Sequence, residues 1–132
     1  MGKRNIEHLD TCGALAVLHS LSFTSLTTAE GECLDVFRVP SARGCVEFIR
    51  MPGASDFRAH VHAKSHTWIY VLSGSGHVML GVERKPYAPG DFFDVPADLS
   101  HGFSCQQPTL ILTMQDPPVR DLERGEIDIY FP

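Results

Sequence analysis

The stretch HVHAKSHTWIYVLSGSG, from His60 to Gly76, contains the residues that decide the fold of this chain. It begins with two histidines spaced two apart, continues through a run of β-branched and aromatic residues, and ends in the turn sequence SGSG. Side chains two apart in an extended strand project from the same face. The stretch therefore predicts paired imidazoles on one strand, followed by a second strand that ends in a tight hairpin.

Runs of similar character fill the chain from residue 31 onward. They are rich in Val, Ile, Phe and Tyr and are separated by Gly and Pro, which is typical of an antiparallel all-β sandwich or barrel. Residues 1–30 are predicted to form an N-terminal arm, where the stretch from Leu9 is compatible with a short helix. Residues 31–132 form the predicted β domain, whose apolar terminal run IDIYF either closes the sheet or pairs with a second subunit.

The composition fits one globular domain and argues against several classes of partner. The chain has 132 residues, is 43% hydrophobic and carries a formal net charge of -5, so it does not attract a nucleic-acid backbone or an anionic membrane. No apolar stretch is long enough to span a bilayer, and we expect a soluble, cytoplasmic protein. The four cysteines lack a C-x-x-C pair, which argues against a zinc knuckle and predicts reduced thiols in or near the core.

The pair His60 and His62 is a candidate half-site for a metal ion. Two neutral imidazoles on one strand face can hold a divalent transition ion in a fixed geometry. An H-x-H pair on a strand also occurs by chance as exposed polar residues. Arg58 has the same parity and is expected on the same face, where it would bind either a substrate carboxylate or a carboxylate of a neighbouring loop.

A second segment, GDFFDVPADLSHGFSC, runs from Gly90 to Cys105 and supplies a further histidine. Together the two segments resemble the two motifs of the cupin superfamily over roughly residues 31–118. The residues that carry the resemblance are Gly53, His60, His62 and Gly74 in the first motif, and Gly90, Pro96 and His101 in the second. The resemblance implies a double-stranded β-helix, or jelly-roll barrel, in which facing strands supply metal ligands around a small cavity.

The chain departs from the family pattern at four positions. Thr67 stands where the family has a carboxylate ligand, Asp98 where the second motif has a later Gly, and Cys105 where it has Asn. Gly53 lies one residue farther from His60 than is usual. The missing carboxylate makes the chain similar to cupins that hold their metal with three histidines, among them the cysteine-dioxygenase-like and diketone-cleaving oxygenases. The ligands implied here are His60, His62 and His101.

His66 is an alternative ligand at the carboxylate position. If the loop after His62 is one residue shorter than the family register indicates, His66 turns inward in place of Thr67 and becomes a fourth histidine ligand. Both faces of the strand that follows are apolar, so parity does not decide between the two. The family register favours Thr67, which leaves His66 in a loop or in contact with a ligand histidine.

The function that the resemblance implies is that of a metal-dependent, dioxygenase-like oxidoreductase acting on a small chelating or anionic molecule. Iron is the favoured metal, and nickel, manganese, zinc or copper also accept imidazole ligands. Arg58, Thr67, Phe103 and Cys105 are candidate substrate contacts. Phe103 and Cys105 alternate with the intervening residues in step with His101, so their side chains are expected on the same face of the strand as His101. Both would also serve simply to fill the core.

Two other functions remain open at this stage. One is a non-catalytic cupin that binds or senses a small molecule, because one fold hosts many functions. The other is an isomerase or epimerase of a sugar derivative, which would not need three convergent imidazoles. The resemblance also implies a homodimer, and we expect a small-molecule partner but neither a nucleic acid nor a membrane.

Overall fold

The structure is a computed structural model that describes residues 17–28, 31–40 and 45–132. Its strands are β1 (Thr24–Thr27), β2 (Cys33–Val39), β3 (Cys45–Met51), β4 (Ser55–His60), β5 (His66–Ser73), β6 (Gly76–Leu80), β7 (Glu83–Tyr87), β8 (Phe92–Val95), β9 (His101–Cys105), β10 (Thr109–Asp116), β11 (Arg120–Asp121) and β12 (Glu126–Ile127). One helical turn, at 17–19, precedes them. Most of the predicted helix from Leu9 lies outside the described residues.

The strands form two facing antiparallel sheets. The larger sheet has the order β1-β2-β3-β10-β5-β8 and the smaller one β4-β9-β6-β7, while β11 and β12 form a separate short hairpin. From β3 to β10 the chain passes back and forth between the two sheets, which is the arrangement of a jelly roll. The predicted all-β, cupin-type jelly roll is confirmed. Residues 24–27, which lie within the predicted N-terminal arm, form the edge strand β1.

The register of β5 decides which side chains face the space between the sheets. Thr67, Ile69 and Val71 are buried, whereas Tyr70 is 40% exposed on the other face. This alternation is the one that the family register predicts, with Thr67 turned inward. His66 therefore lies on the outer side of the strand.

A β-bulge in β4 changes the orientation of the residues that precede the first histidine. Phe57 pairs with Phe103 and His60 pairs with His101, so three residue steps along β4 match two steps along β9. The extra residue reverses the parity of the strand between the two pairs. Arg58 is consequently exposed. The prediction that Arg58 shares a face with His60 is wrong, because it assumed an unbroken strand.

Gly102 in β9 allows this bulge to pack closely. A Cβ at Gly102 would lie 2.6 Å from the carbonyl oxygen of Phe57 and 3.0 Å from the backbone of Ala59, so a larger residue would displace β4. The bulge also accommodates the additional residue between Gly53 and His60 that distinguishes the chain from the family pattern. The irregular spacing in the sequence thus has a local structural cause.

Asp98, which stands where the second motif has a glycine, adopts a backbone conformation that favours glycine. Its φ angle is 68°, in the left-handed region. Asp and Asn tolerate this region better than other side chains. The Asp98 N–H donates a hydrogen bond to the carbonyl of His62 at 2.8 Å, which connects the turn before His101 to the other histidine segment.

The terminal run IDIYF packs against its own domain. Tyr130 pairs with Val61 through two backbone hydrogen bonds.

The outer face of the larger sheet carries a row of apolar side chains in successive cross-strand pairs: Phe37, Phe48, Leu112, Tyr70 and Phe92. The homodimer stays a prediction, and this outer face, rather than the terminal run, now offers the apolar surface for it.

The described cysteines are free thiols. Cys45 and Cys105 are buried, as expected for core residues, whereas Cys33 is exposed on the edge hairpin, and Cys12 lies outside the described residues. Across residues 17–28, 31–40 and 45–132, no helix has the length and apolar character needed to cross a bilayer.

Candidate metal centre

Three histidines from two distant segments meet at one end of the space between the sheets. The ring centroids of His60 and His101 are 4.4 Å apart, those of His62 and His101 4.7 Å, and those of His60 and His62 4.9 Å. Their candidate ligand nitrogens all lie within 4.8 Å of one another. The pairing of β4 with β9 produces this arrangement, because it sets His60 directly opposite His101.

Backbone carbonyls orient all three imidazoles in the same way. The Nδ1 atom of His60 lies 3.0 Å from the carbonyl oxygen of Arg58, that of His62 2.6 Å from Asp128, and that of His101 2.9 Å from Leu99. A carbonyl oxygen can only accept a hydrogen bond, so each Nδ1 carries the proton of its neutral ring. Each Nε2 is then left with a free lone pair, which is the arrangement that metal-bound histidines adopt.

The closest contact in the cluster joins two such lone pairs. The Nε2 atoms of His62 and His101 are 3.1 Å apart. With both protons held on Nδ1, no hydrogen bond connects these two atoms, and their lone pairs repel each other unless a cation lies between them. Two nitrogens bound at about 2.1 Å to one metal ion are about 3.0 Å apart at a right angle and about 3.4 Å apart at the tetrahedral angle. The observed spacing therefore fits a shared ion.

Burial keeps these imidazoles neutral. Desolvation lowers the pKa of His60 and of His62 below the usual value for histidine. Desolvation, with repulsion from the neighbouring His60, lowers the pKa of His101 to about 3. All three side chains are thus unprotonated near pH 7, the state in which imidazole binds a metal.

Thr67 lies on the inner face of β5 and lines the same cavity as the three histidines. Its Oγ1 atom is buried and has no hydrogen-bond partner within the described part of the chain. Buried polar atoms almost always have a partner, so an unpaired hydroxyl at a site indicates an absent ligand or water. The structure therefore places a hydroxyl, free to bond to an oxygen or nitrogen, where the family has a carboxylate.

The structure does not bring His66 to the cluster. Its Nε2 atom contacts Oδ1 of Asp94, and its ring stacks on Trp68 with 4.3 Å between centroids. Both contacts lie on the outer side of β5. His66 is therefore separated from the three inward histidines by the strand itself.

A cavity of about 520 Å³ opens beside the histidines, between the β1–β2 hairpin and the C-terminal residues. Phe103 lines it, as predicted for a residue with the parity of His101.

Cys105 does not line the cavity, because its side chain points into the packed core, 4.0 Å from the sulfur of Met51. Arg58 is also absent from the lining, and its guanidinium lies 5.3 Å from the ring centre of Phe131. Of the four predicted substrate contacts, Thr67 and Phe103 reach the cavity.

A buried acid on the cavity wall was not anticipated from the sequence. Glu47 is 3% exposed, and its carboxylate accepts hydrogen bonds from Arg120 at 2.6 Å, Arg38 at 3.2 Å and Gln115 at 3.0 Å. Two guanidinium groups and an amide hold this carboxylate in place, which compensates for the cost of burying its charge. In the run CVEFIRM, Glu47 alternates with apolar Val46 and Phe48, so the pattern alone would place it outside.

Asp128 is a second unanticipated residue, and it connects the C-terminal segment to the metal site. Its carbonyl oxygen accepts the Nδ1–H of His62, and its carboxylate accepts the backbone N–H groups of Ala63, Lys64 and Ser65. Partial burial raises the pKa of Asp128, but these N–H donors outweigh it and hold the pKa below the usual range. One residue thus fixes both the ring of a ligand and the loop that follows it.

Fold and site together define a jelly-roll protein with a candidate three-histidine metal centre. The family described as "Cupin domain" matches residues 46–114, and the chain belongs to this family. A comparison with curated protein sequences gives no match.

Solved structures share this fold at low sequence identity. A putative sugar phosphate isomerase from Acidithiobacillus ferrooxidans has a TM-score of 0.66 and 18% identity, over 74% of this chain and 69% of that one. The KdgF structure from Halomonas has a TM-score of 0.63 and 20% identity, over 74% and 86%. A predicted oxalate decarboxylase from Thermotoga maritima has a TM-score of 0.65 and 15% identity, over 74% and 93%. At these identities the likeness establishes the fold and not a shared activity.

Proposed function

We propose that this protein is a metal-dependent oxygenase that acts on a small chelating or anionic molecule. The observation that carries the proposal is the convergence of three Nε2 lone pairs, each fixed by a backbone carbonyl, with no carboxylate among the ligands. His60, His62 and His101 would hold a divalent ion, with iron favoured. Bound iron supplies the oxygen chemistry that side chains lack.

The residues around the ion would bind and orient the substrate. Three neutral ligands leave the positive charge of a divalent ion uncompensated, which favours a substrate with a negatively charged or chelating group. Thr67 would donate or accept a hydrogen bond at that group. Phe103 and the other apolar walls would exclude water and hold the remainder of the molecule in position.

The carboxylates that line this cavity do not favour acid–base catalysis by the protein. Of the carboxylates that line it within the described residues, Glu47 is bound by two arginines, and Glu32 accepts a hydrogen bond from the backbone N–H of Arg58. A general base must reach the proton that it removes, and both carboxylates are already engaged by donors of the protein, Glu32 also by the Thr28 hydroxyl. This favours an oxygenase over a sugar isomerase or epimerase.

Oxygen consumption tests the proposal. Iron-loaded protein, screened against thiols, diketones and catechol-like acids, should consume O2 with at least one class, and the His101→Ala variant should not. The His66→Ala variant is the matched control and should retain the activity. Consumption that is independent of His101 would contradict the proposal.

A non-catalytic binding protein is the second candidate, and the size of the cavity favours it. A volume of about 520 Å³ is that of a small-molecule binding site. This candidate predicts a metal-loaded protein that binds small molecules but consumes no O2 with any of the three classes. The same screen therefore separates the two functions.

A further inference from the structure

The geometry points to a substrate with an apolar body and a single oxygen-bearing head group, rather than to a sugar or another polyol. This inference rests on the proposed function, because it assigns the chemical class of molecule that the same site takes. It is carried by the lining of the cavity and by the unpaired hydroxyl of Thr67.

Away from the histidines, the larger sheet and the C-terminal residues give the cavity apolar walls. Leu34 and Val36 line the cavity from β2, Ile49 from β3 and Ile111 from β10. Ile129 and Phe131 close the cavity from the C-terminal side. Burying an apolar group against such walls is favourable by about 0.8 kcal/mol per methylene, whereas a hydroxyl buried there without a partner is unfavourable.

Most polar side chains that line the cavity already have partners within the protein. At the β1–β2 hairpin, Glu32 accepts hydrogen bonds from the Thr28 hydroxyl and the Arg58 backbone N–H, and Thr27 contacts Cys33.

The side-chain amide of Gln115 donates to Glu47 at 3.0 Å and to Thr113 at 3.1 Å, and its oxygen accepts the N–H of Val119 at 3.0 Å. Arg120 is bound to Glu47. A sugar needs several free donors and acceptors along its length, and these residues do not provide them.

Thr67 is the exception. Apart from the Nε2 atoms of the histidines, its Oγ1 is the one buried side-chain oxygen or nitrogen in the described residues that lacks a partner, and it lies on the wall shared with those histidines. A ligand oxygen held at the metal would supply that partner. Head group and body would therefore occupy opposite ends of the cavity, with the head at the histidines and Thr67.

Alkyl hydroxamates are suitable probes, because they join a metal-chelating head to a tail of chosen length. We expect calorimetric titration of zinc-loaded protein, from acetohydroxamate to octanohydroxamate, to show Kd falling about fourfold per methylene until the cavity is filled. Hexanohydroxamate should bind at least 100-fold more tightly than gluconohydroxamate, which has the same number of carbons but carries hydroxyls. Equal or tighter binding of gluconohydroxamate would overturn the inference.

Two variants of β3 test whether the tail occupies the cavity. Ile49→Phe narrows the cavity and should stop the gain in affinity at a shorter chain, while acetohydroxamate affinity stays within threefold of wild type. Phe48→Ile on the outer face of the same strand is the control and should leave the whole series unchanged. An identical series for wild type and Ile49→Phe would place the tail elsewhere and contradict the inference.

Whether zinc binds at all separates a failure of the proposed function from a failure of this inference. If zinc and acetohydroxamate bind but Kd does not change with chain length, the apolar-body inference fails and the metal site stands. If zinc does not bind, the proposed function fails, and a series of alkanoates on the metal-free protein tests the cavity by itself. Tighter binding of longer alkanoates would then support the inference, and a flat series would overturn it.

Discussion

Three backbone carbonyls determine what the histidines of this protein can do. A neutral imidazole that donates from Nδ1 presents an unprotonated Nε2, and the candidate ligand nitrogens of the three rings lie within 4.8 Å of one another. The lowered pKa values follow from burial and mean that protons do not compete for these nitrogens near neutral pH. The site is thus prepared for a cation before any ion binds.

Thr67 allows a test of the inner wall that does not depend on activity. Its buried hydroxyl has no partner among the described residues, so Thr67→Val should not lower the free energy of unfolding and should raise it by up to about 1 kcal/mol. Urea denaturation in the presence of a chelator measures this.

Thr113→Val is the matched control for that prediction. The Thr113 hydroxyl is bonded to the Glu47 carbonyl at 3.4 Å and to the Gln115 amide at 3.1 Å. Its removal should lower the free energy of unfolding by about 1 kcal/mol. If both substitutions are destabilising by the same amount, the Thr67 hydroxyl has a partner after all.

At the level of elements, the C-terminal segment is part of the metal site. Asp128 holds a ligand ring through its carbonyl and the loop at 63–65 through its carboxylate, while Tyr130 pairs with Val61, between His60 and His62. The segment is more than 60 residues away from these partners in sequence. No local pattern could have predicted this contact, because the IDIYF run also suits an exposed edge strand.

Asp128→Ala should weaken metal binding even though Asp128 is not a ligand. The variant keeps the carbonyl that bonds to His62 but loses the carboxylate that fixes the loop, so the ring is held less firmly. We expect the Kd for zinc to rise roughly 10-fold. Asp121→Ala is the control, because that carboxylate caps only the turn between β11 and β12, at Glu123 and Arg124.

Competition titration with a zinc chelator measures both Kd values. An unchanged Kd for Asp128→Ala, or an equal rise for Asp121→Ala, would show that the C-terminal segment does not position the site.

At the level of the whole molecule, the sequence pattern predicted an all-β domain, and the cupin resemblance implied the jelly roll and the three inward histidines. The motif spacing and the Gly/Pro punctuation reflect local backbone requirements, which a single sequence reveals. Contacts between residues far apart in the sequence could not be predicted from local patterns. The orientation of Arg58 depends on a bulge that packs on Gly102, and the burial of Glu47 depends on Arg38 and Arg120.

The buried histidines also predict how the metal-free protein responds to pH. Because the folded pKa values lie below the unfolded value of about 6.5, the unfolded chain binds more protons at acidic pH. The contribution of these neutral histidines to the free energy of unfolding is complete above about pH 6.5. It is lost as the pH falls toward about 3, the pKa of His101.

Urea denaturation with a chelator present, at intervals between pH 7 and pH 4.5, measures this loss. The free energy of unfolding should fall continuously over that range, and less steeply for His101→Gln, which has no titrating ring. Identical slopes for the two proteins would mean that His101 is not buried as a neutral group.

Zinc titration of the metal-free protein tests the central claim most directly. We predict one ion per chain for the wild type and for His66→Ala with the same Kd, and a Kd raised at least 100-fold for His101→Ala. No binding by the wild type, or equal binding by His101→Ala, would contradict a metal centre built from His60, His62 and His101.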